Sequence, residues 1–221
     1  AISRRATTVG LSFSQATFGS LPPGAPKMQA TGNTVIIEGQ PVFVPGTGQS
    51  SLPALYGGFS TNANPDKVDV LSGNTLEMRT KGTTVGNIHN FERINFYLPS
   101  DIAAGEKVLT LTDTSGTGIA GRKIGVELPA GARLAQGDRI VLIHTANGTL
   151  TSGAGNLVNQ LHATSGSALL YRFKLSSDRQ NLYATVTGTP TPTSTPASTP
   201  APGTGGGTGL GGSTGGSSAG S

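Results

Sequence analysis

Residues 86–113 read "GNIHNFERINFYLPSDIAAGEKVLTLTD", and the alternation of apolar and polar residues in this stretch predicts a β-strand with one buried face. The residues predicted to face the interior are Ile94, Phe96 and Leu98. The residues predicted to face solvent are Arg93, Asn95 and Tyr97. Gly86 and Asn87 predict the bend before the strand, and Pro99 ends the strand because proline cannot donate a ladder hydrogen bond.

Similar short runs occur along residues 30–186, separated by Gly, Asn, Pro and Asp. Residues 124–128 alternate cleanly, which places Ile124, Val126 and Leu128 on one face. The continuous run at 140–143, "IVLI", predicts a strand that is buried on both faces or passes through a core. No segment has the pattern of a good amphipathic helix, although "LPSDIAAGEKV" at 98–108 could form a helical turn or two. The sequence therefore predicts an all-β protein.

The spacing of the runs favours a β-solenoid. Their centres at Leu76, Ile94, Leu109, Ile124 and Val141 are 18, 15, 15 and 17 residues apart. Strands of ordinary sandwiches recur about every 8–12 residues. A longer step fits a coil in which each turn contributes a strand, a bend and more extended chain. A β-sandwich with long loops would give the same spacing and is the alternative.

An internal repeat also favours stacked coils. "TGNTVII" at 31–37 recurs as "SGNTLEM" at 72–78, 41 residues further on. A Gly-Asn corner suits a tight bend that needs positive φ, and stacked Asn side chains could form hydrogen bonds along the coil axis. Two unrelated turns would give the same pattern.

The composition bounds the possible functions. The chain has 221 residues, 12% of them charged, with 34 Gly and no Cys, which is typical of an extracellular β-protein rich in turns. The absence of Cys excludes disulfides and a Cys nucleophile. The net charge of +4 comes from scattered Lys and Arg, so we expect no nucleic-acid partner. No apolar run approaches the roughly 20 residues that span a bilayer, so we expect no membrane insertion by this chain.

Three regions are predicted. Residues 1–29 form an N-terminal extended segment, and residues 30–186 form the solenoid domain. Two runs near its end, at 168–175 and 181–186, flank the polar turn "SSDRQ" and predict an antiparallel hairpin that caps the open end of the coil. Residues 187–221, rich first in Thr-Pro and then in Gly and Ser, are expected to be a disordered tail because they bury too little apolar surface.

The phrasing of residues 54–113 resembles the passenger region of bacterial autotransporters, the type V secretion proteins. "LYGGFSTNA" at 55–63 and "SGNTLEM" look like a last passenger repeat, and "GNIHNFERINFYLPSDI" at 86–102 looks like the closing segment. The similarity extends over about residues 30–186. It implies a right-handed parallel β-helix, secretion, and display on the bacterial cell surface, with association to the outer membrane through a β-barrel that was cleaved or excluded.

Histidine and carboxylate side chains were considered as sites of chemistry. The three histidines, His89, His144 and His162, do not have the spacing of a helical zinc site. His89 lies near Glu92 in a bend, and His144 follows a strand. These positions predict no metal site and no cofactor.

Enzymes with a β-helix fold that cleave polysaccharides use paired carboxylates, often with Arg or Lys. The corresponding set here is Asp66, Asp69, Glu77 and Arg79. Asp66 lies in a turn, whereas Asp69 and Glu77 alternate with apolar neighbours and should face solvent. We therefore predict no catalytic residue.

The expected function is that of a non-enzymatic structural or adhesive protein, secreted or displayed on the surface, whose partner is a host or matrix surface. The alternative is a self-assembling filament subunit, a homo-polymer that grows by addition of the N-terminal strand "TTVGLSFSQATF" at 7–18 or by end-to-end stacking of coils. A polysaccharide-acting enzyme is a third, less favoured possibility.

Overall fold

The computed structural model of the protein describes residues 27–62, 64, 66–153, 157–161 and 170–191. Within these residues the chain forms strands and turns and no helix, which confirms the prediction of an all-β protein. The strands in chain order are β1 (Met28–Gln29), β2 (Thr34–Ile37), β3 (Leu55–Tyr56), β4 (Val68–Asp69), β5 (Thr75–Met78), β6 (Thr83–Val85), β7 (Ile88–His89), β8 (Arg93–Tyr97), β9 (Lys107–Leu111), β10 (Thr117–Gly118), β11 (Lys123–Glu127), β12 (Arg139–Thr145), β13 (Leu150–Thr151), β14 (Arg172–Ser177) and β15 (Asn181–Gly188).

Residues 98–108 form two separate turns, so the helical turn considered for this segment is wrong. Ile102 N–H donates to Pro99 O at 3.1 Å, and Glu106 N–H donates to Ala103 O at 3.2 Å. Gly105 follows with φ of 81°, a left-handed conformation that ends any continuous helical path.

A four-stranded parallel sheet contains the two halves of the repeat. Its strand order is β11-β8-β5-β2. The residue pairs in register between β2 and β5 are Thr34 with Thr75, Val35 with Leu76, Ile36 with Glu77, and Ile37 with Met78. The repeat therefore stacks residue on residue, which excludes two unrelated turns.

The Gly-Asn corner before each of these strands has the predicted geometry. Gly32 and Gly73 both have φ of 70°. Asn33 lies beside Asn74, with its Nδ2 3.2 Å from Asn74 Oδ1. The predicted hydrogen bond between stacked Asn side chains is therefore present.

A second, five-stranded sheet has the order β14-β15-β12-β9-β6. Strands β6, β9 and β12 are parallel, whereas β15 pairs antiparallel with both β12 and β14. The predicted antiparallel hairpin is therefore present as β14 and β15. Three two-stranded parallel sheets complete the set, β1 with β4, β3 with β7, and β10 with β13.

The inward faces of the two larger sheets meet in one hydrophobic core. Along β8 and the next residue, Ile94, Phe96 and Leu98 are 1%, 0% and 4% exposed. Arg93 is exposed and Tyr97 is half-buried. The alternation in the sequence therefore predicted the inside and the outside of this strand correctly.

The run "IVLI" at 140–143 is not buried on both faces. Ile140, Leu142 and Ile143 are buried, but Val141 is half-buried. The register between β12 and β15 shifts between Val141 and Ile143, as in a β-bulge. Such an irregularity lets consecutive side chains turn to the same face, which explains a continuous apolar run in a strand with one wet face.

The regular spacing of 15–18 residues is not the repeat of the sheet. Aligned positions in the four-stranded sheet are Thr34, Thr75, Arg93 and Lys123, which are 41, 18 and 30 residues apart. The spacing misled because successive runs such as β8 and β9 belong to different sheets. Turns of unequal length join strands that remain in register.

Both larger sheets are covered at the edge that is formed by the later strands. In the five-stranded sheet, β15 pairs with β12. In the four-stranded sheet, Asn159 Oδ1 accepts Val126 N–H at 2.8 Å and Asn159 Nδ2 donates to Val126 O at 2.9 Å. Gln160 N–H donates to Ile124 O at 2.8 Å. A side-chain amide and a short segment thus take the place of a next strand on β11.

The strands extend slightly beyond the predicted domain limits of 30 and 186. Strand β1 begins at Met28, and β15 ends at Gly188, which is buried. The segment 7–18 and residues 192–221 of the predicted tail lie outside the described residues. Among the residues that are described, no helix is long and apolar enough to cross a membrane.

Candidate functional site

The four residues considered for acid-base chemistry have structural partners or lie apart. Asp69 Oδ1 accepts the N–H groups of Leu71 and Ser72, each at 3.0 Å, and so holds the turn that follows β4. Hydrogen bonds from Ser72 lower the pKa of Asp69, with a smaller contribution from Leu71. Asp66 is exposed in the preceding turn. Asp69 is thus a turn-forming carboxylate, kept ionised and already engaged.

Glu77 and Arg79 belong to the outer surface of the four-stranded sheet. Arg79 Nη2 and Nε lie 2.7 and 3.0 Å from Glu77 Oε2. The Arg79 guanidinium also covers the ring of Tyr97, 4.5 Å from its centroid. Asp69 lies in a different, two-stranded sheet. The pair Glu77–Arg79 is a surface ion pair, and its carboxylate has a guanidinium as its closest partner rather than a second carboxylate.

Glu92 connects three successive strand levels and does not act with His89. Its Oε2 accepts Gly73 N–H at 2.7 Å, and its Oε1 lies 2.9 Å from Lys123 Nζ. The hydrogen bond from Gly73 and the Lys123 ammonium lower the pKa of Glu92. The carboxylate thus ties the corner before β5 to the start of β11.

The two described histidines are in different places, and His162 lies outside the described residues. His89 stacks on Tyr56, with ring centroids 4.8 Å apart, and its pKa is lowered by burial. His144 Nδ1 lies 2.8 Å from Asn181 Oδ1 on the outer side of β12. Within the part of the chain that the structure covers, no group of three or more His, Asp or Glu could hold a metal ion.

An aromatic cluster is exposed where β3 meets β7. Tyr56 and Phe59 are 42% and 49% exposed, and their rings meet edge to face at 5.4 Å. The cluster continues into His89, which stacks on Tyr56. Exposed aromatic rings of this kind are common in recognition surfaces because a ring gives large contact area at low entropic cost.

A second surface, which the sequence did not reveal, is the outer side of the five-stranded sheet. Four cations lie there, and we name them the basic face: Lys107, Arg139, Arg172 and Lys174. All four are exposed. Arg139 and Lys174 are both aligned with Thr185 of β15, one on each side of it. Lys107 of β9 is aligned with Val141, two residues beyond Arg139 on β12.

The side chains around the basic face are ordered by local contacts. The Arg139 guanidinium covers the Tyr183 ring, 4.7 Å from its centroid. The Tyr183 hydroxyl donates to Asp178 Oδ2 at 2.7 Å, and Asp178 also accepts the N–H of Gln180 at 2.8 Å. These bonds from Gln180 and Tyr183 lower the pKa of Asp178. Asp178 is thus occupied in the hairpin turn.

The basic face escaped the sequence interpretation because its members are far apart in the chain. Lys107 and Lys174 are separated by 67 positions, so no run or stripe of charge is visible. The available signal was strand phase: each cation occupies a position that alternates with buried residues, as Lys174 does between Phe173 and Leu175. Recognising the cluster also needed the order of the strands, which the sequence spacing had obscured.

Comparison of this chain with protein-family models, with curated protein sequences and with solved structures finds no match. The functional argument therefore depends on the geometry described above. That geometry consists of stacked parallel strands, carboxylates engaged in structural contacts, and two exposed surfaces of distinct chemistry.

Proposed function

We propose that this chain is a non-enzymatic structural or adhesive protein of the bacterial cell surface, similar to the stem of an autotransporter passenger. The observation that carries the proposal is the in-register stacking of the 41-residue repeat, with Thr34 on Thr75 and Asn33 beside Asn74. A unit that stacks on its own copy can be extended by further repeats into a rod. A rod that holds binding surfaces away from the cell is the physical requirement of a stem.

The fold in this proposal is a right-handed parallel β-solenoid that ends in the β14–β15 hairpin. Parallel pairing in all five sheets supports it, because each aligned pair joins successive levels of the chain. The sheets of a β-sandwich are antiparallel, so parallel pairing speaks against that alternative. The covered edges of β11 and β12 support the view that the hairpin end is the closed end of the solenoid.

The non-enzymatic part of the proposal is supported by the engagement of Asp69 and Glu77. A carboxylate that accepts turn N–H groups or pairs with Arg79 has a lowered proton affinity, which is poor for a general acid. We expect the protein to release no reducing sugar from a panel of neutral and acidic polysaccharides. Activity that is lost in Asp69→Asn or Glu77→Gln, but kept in Asp66→Asn, would contradict the proposal and support the enzyme.

The cellular part of the proposal is tested on intact cells. An antibody raised against residues 27–191 should label unpermeabilised cells of the source bacterium, and brief protease treatment of those cells should remove the label. A cytoplasmic protein serves as the control for lysis. Labelling that requires permeabilisation would reject surface display.

The filament subunit is the second candidate, and one observation favours it. Within the residues that the structure describes, no strand pairs with the outer edge of β2, so this edge offers free backbone groups. The covered edges of β11 and β12 speak against end-to-end stacking at the other end, because a head-to-tail polymer needs two complementary open surfaces. Electron microscopy of the purified protein distinguishes polymers from single particles.

A further inference from the structure

The two larger sheets differ sharply in charge. The described strands of the five-stranded sheet contain four cations and no Asp or Glu. Those of the four-stranded sheet contain two of each sign, and the cations are Arg93 and Lys123, the anions Glu77 and Glu127. The folded chain therefore concentrates positive charge on one side. A concentration of like charge on one surface costs repulsion and favours a partner of the opposite sign.

The members of the basic face are not neutralised within the chain. The described residues form ion pairs at Arg79, Lys81 and Lys123, and none at Lys107, Arg139, Arg172 or Lys174. The nearest carboxylates along the chain are engaged elsewhere: Glu106 lies 2.6 Å from Lys81 Nζ, and Asp138 accepts Ala135 N–H at 2.8 Å. The cations are therefore available to an external anion.

We propose that the basic face binds an acidic polysaccharide. The inference rests on the proposed function in one respect, namely that the partner is a polymer met at a cell surface. The cations are distributed over β9, β12 and β14 on the exposed side of a sheet, with adjacent strands about 4.8 Å apart. Such an array matches repeated charges along an extended polyanion better than a single small anion, which needs convergent donors.

Hydroxyl groups between the cations fit the rest of a sugar chain. Thr185 lies between Arg139 and Lys174, and Ser176 is aligned with Tyr183 in the next row. Each hydroxyl can donate and accept a hydrogen bond, as sugar hydroxyls do. The face thus offers charge for carboxylate or sulfate groups and neutral partners for the ring substituents.

Nucleic acid fits this surface less well. Proteins that bind single strands stack bases on open aromatic rings. On this sheet the Tyr183 ring is covered by Arg139, and Phe173 is buried. Duplex DNA admits a helix or a two-stranded ribbon into its major groove, and a five-stranded face is too wide for that geometry. The observations therefore favour a glycan over a nucleic acid.

The test uses the full chain and measures dissociation constants for heparin, polygalacturonate, neutral dextran and a 20-nucleotide oligo-dT over a range of NaCl concentrations. We expect binding to at least one of the two acidic glycans, weakening as salt rises, and no binding to dextran. The variant Lys107→Gln/Arg139→Gln/Lys174→Gln should bind about tenfold more weakly or less, because each surface charge contributes modestly and three are removed. Its salt dependence should also be shallower.

A matched variant removes the same charge elsewhere, Lys27→Gln/Lys67→Gln/Arg122→Gln, and should bind within about twofold of the wild type. Equal weakening in both triple variants, tighter binding of oligo-dT than of either glycan, or no binding to the acidic glycans would overturn the proposal. The variant Lys107→Gln/Lys174→Gln keeps the Arg139–Tyr183 contact and should weaken binding at an unchanged melting temperature. Weakening confined to the triple variant, with a lowered melting temperature, would also overturn it.

The glycan measurements and the labelling of intact cells fail independently. Binding by the purified protein without surface labelling would reject the proposed location and leave the basic face assigned. Surface labelling without glycan binding would reject the basic face and leave the stem.

Discussion

Asn74 Oδ1 accepts a hydrogen bond from the backbone N–H of Asn33 at 2.9 Å, although the two residues are 41 positions apart. The Asn33 side chain approaches the same oxygen at 3.2 Å. On its other side, Asn74 Nδ2 donates to Ala30 O at 2.9 Å and to Val70 O at 2.6 Å. One fully buried amide thus joins the two copies of the Gly-Asn corner.

The first prediction concerns this amide. Asn74→Ala should lower the free energy of unfolding by about 2–4 kcal/mol, because it leaves several buried backbone groups without their partner. Asn33→Ala should cost about 1 kcal/mol, since Asn33 is only half-buried. Urea denaturation followed by circular dichroism measures both.

The double variant supplies the control. Because the two side chains share a hydrogen bond, the cost of Asn33→Ala/Asn74→Ala should be less than the sum of the single costs. Strict additivity would mean that the two corners are stabilised independently, contrary to the structure.

The second prediction explains the pair of glycines in "LYGGFS". A Cβ on Gly58 would clash with the backbone oxygens of Ala30 and Val70, and its distance to Val70 O would be 2.5 Å. Because the obstacles are backbone atoms, the strand levels themselves would have to separate. Gly58→Ala should therefore destabilise the fold by about 1–3 kcal/mol, measured by thermal or urea unfolding.

Gly118 is the matched control for Gly58. It also lies at an ordinary backbone φ, and a Cβ placed on it meets no atom within 4 Å. Gly118→Ala should change the free energy of unfolding by less than about 0.5 kcal/mol. Similar losses in both variants would show that the close packing at Gly58 is not what requires glycine.

Residues whose structural role depends on local alternation or on a repeat could be predicted from the sequence. The inward face of Ile94 and Phe96, the register of Thr34 with Thr75 and the β14–β15 hairpin belong to this class. Properties that depend on which strands are neighbours could not. The basic face and the bulge at Val141 arise from pairings between distant strands, and periodicity along one strand contains no information about its neighbour.

The third prediction concerns pH. Hydrogen bonding to Gly73 and the charge of Lys123 hold the pKa of Glu92 below its ordinary value of 4.5 in the folded protein. A carboxylate with a lowered folded-state pKa binds protons more readily when the chain is unfolded. Its stabilising contribution is therefore complete above about pH 4.5 and is lost as the pH falls through the lower, folded-state pKa. The melting temperature should fall as the pH drops from 5 to 3.

Glu92→Gln should flatten this acid-side decline, because the variant has no charge to lose at this position. Asp66→Asn is the control, since Asp66 is exposed and its carboxylate forms no ion pair in the described region. An acid-side decline of unchanged slope in Glu92→Gln would contradict a stabilising role for the bonds to Gly73 and Lys123.

The fourth prediction concerns the outer edge of β2. Asn33 O and Ile37 O accept N–H groups from Thr75 and Arg79, so residues of this parity face β5. The backbone groups of Thr34 and Ile36 therefore point away from β5, and the Ile36 side chain is 41% exposed. An uncovered edge of this kind is a template for pairing with another chain. We expect the purified protein to dimerise weakly at high concentration through β2.

Association through one edge should stop at the dimer, because two identical edges that pair satisfy each other. Ile36→Pro removes an N–H that faces away from β5, so it should abolish dimerisation at nearly unchanged stability. Val35→Pro, one residue earlier, removes an N–H that faces β5 and should destabilise the fold instead. Sedimentation velocity measures the association, and electron microscopy tests for polymers. Filaments that persist in Ile36→Pro would show growth through another surface and would favour the filament subunit over the stem.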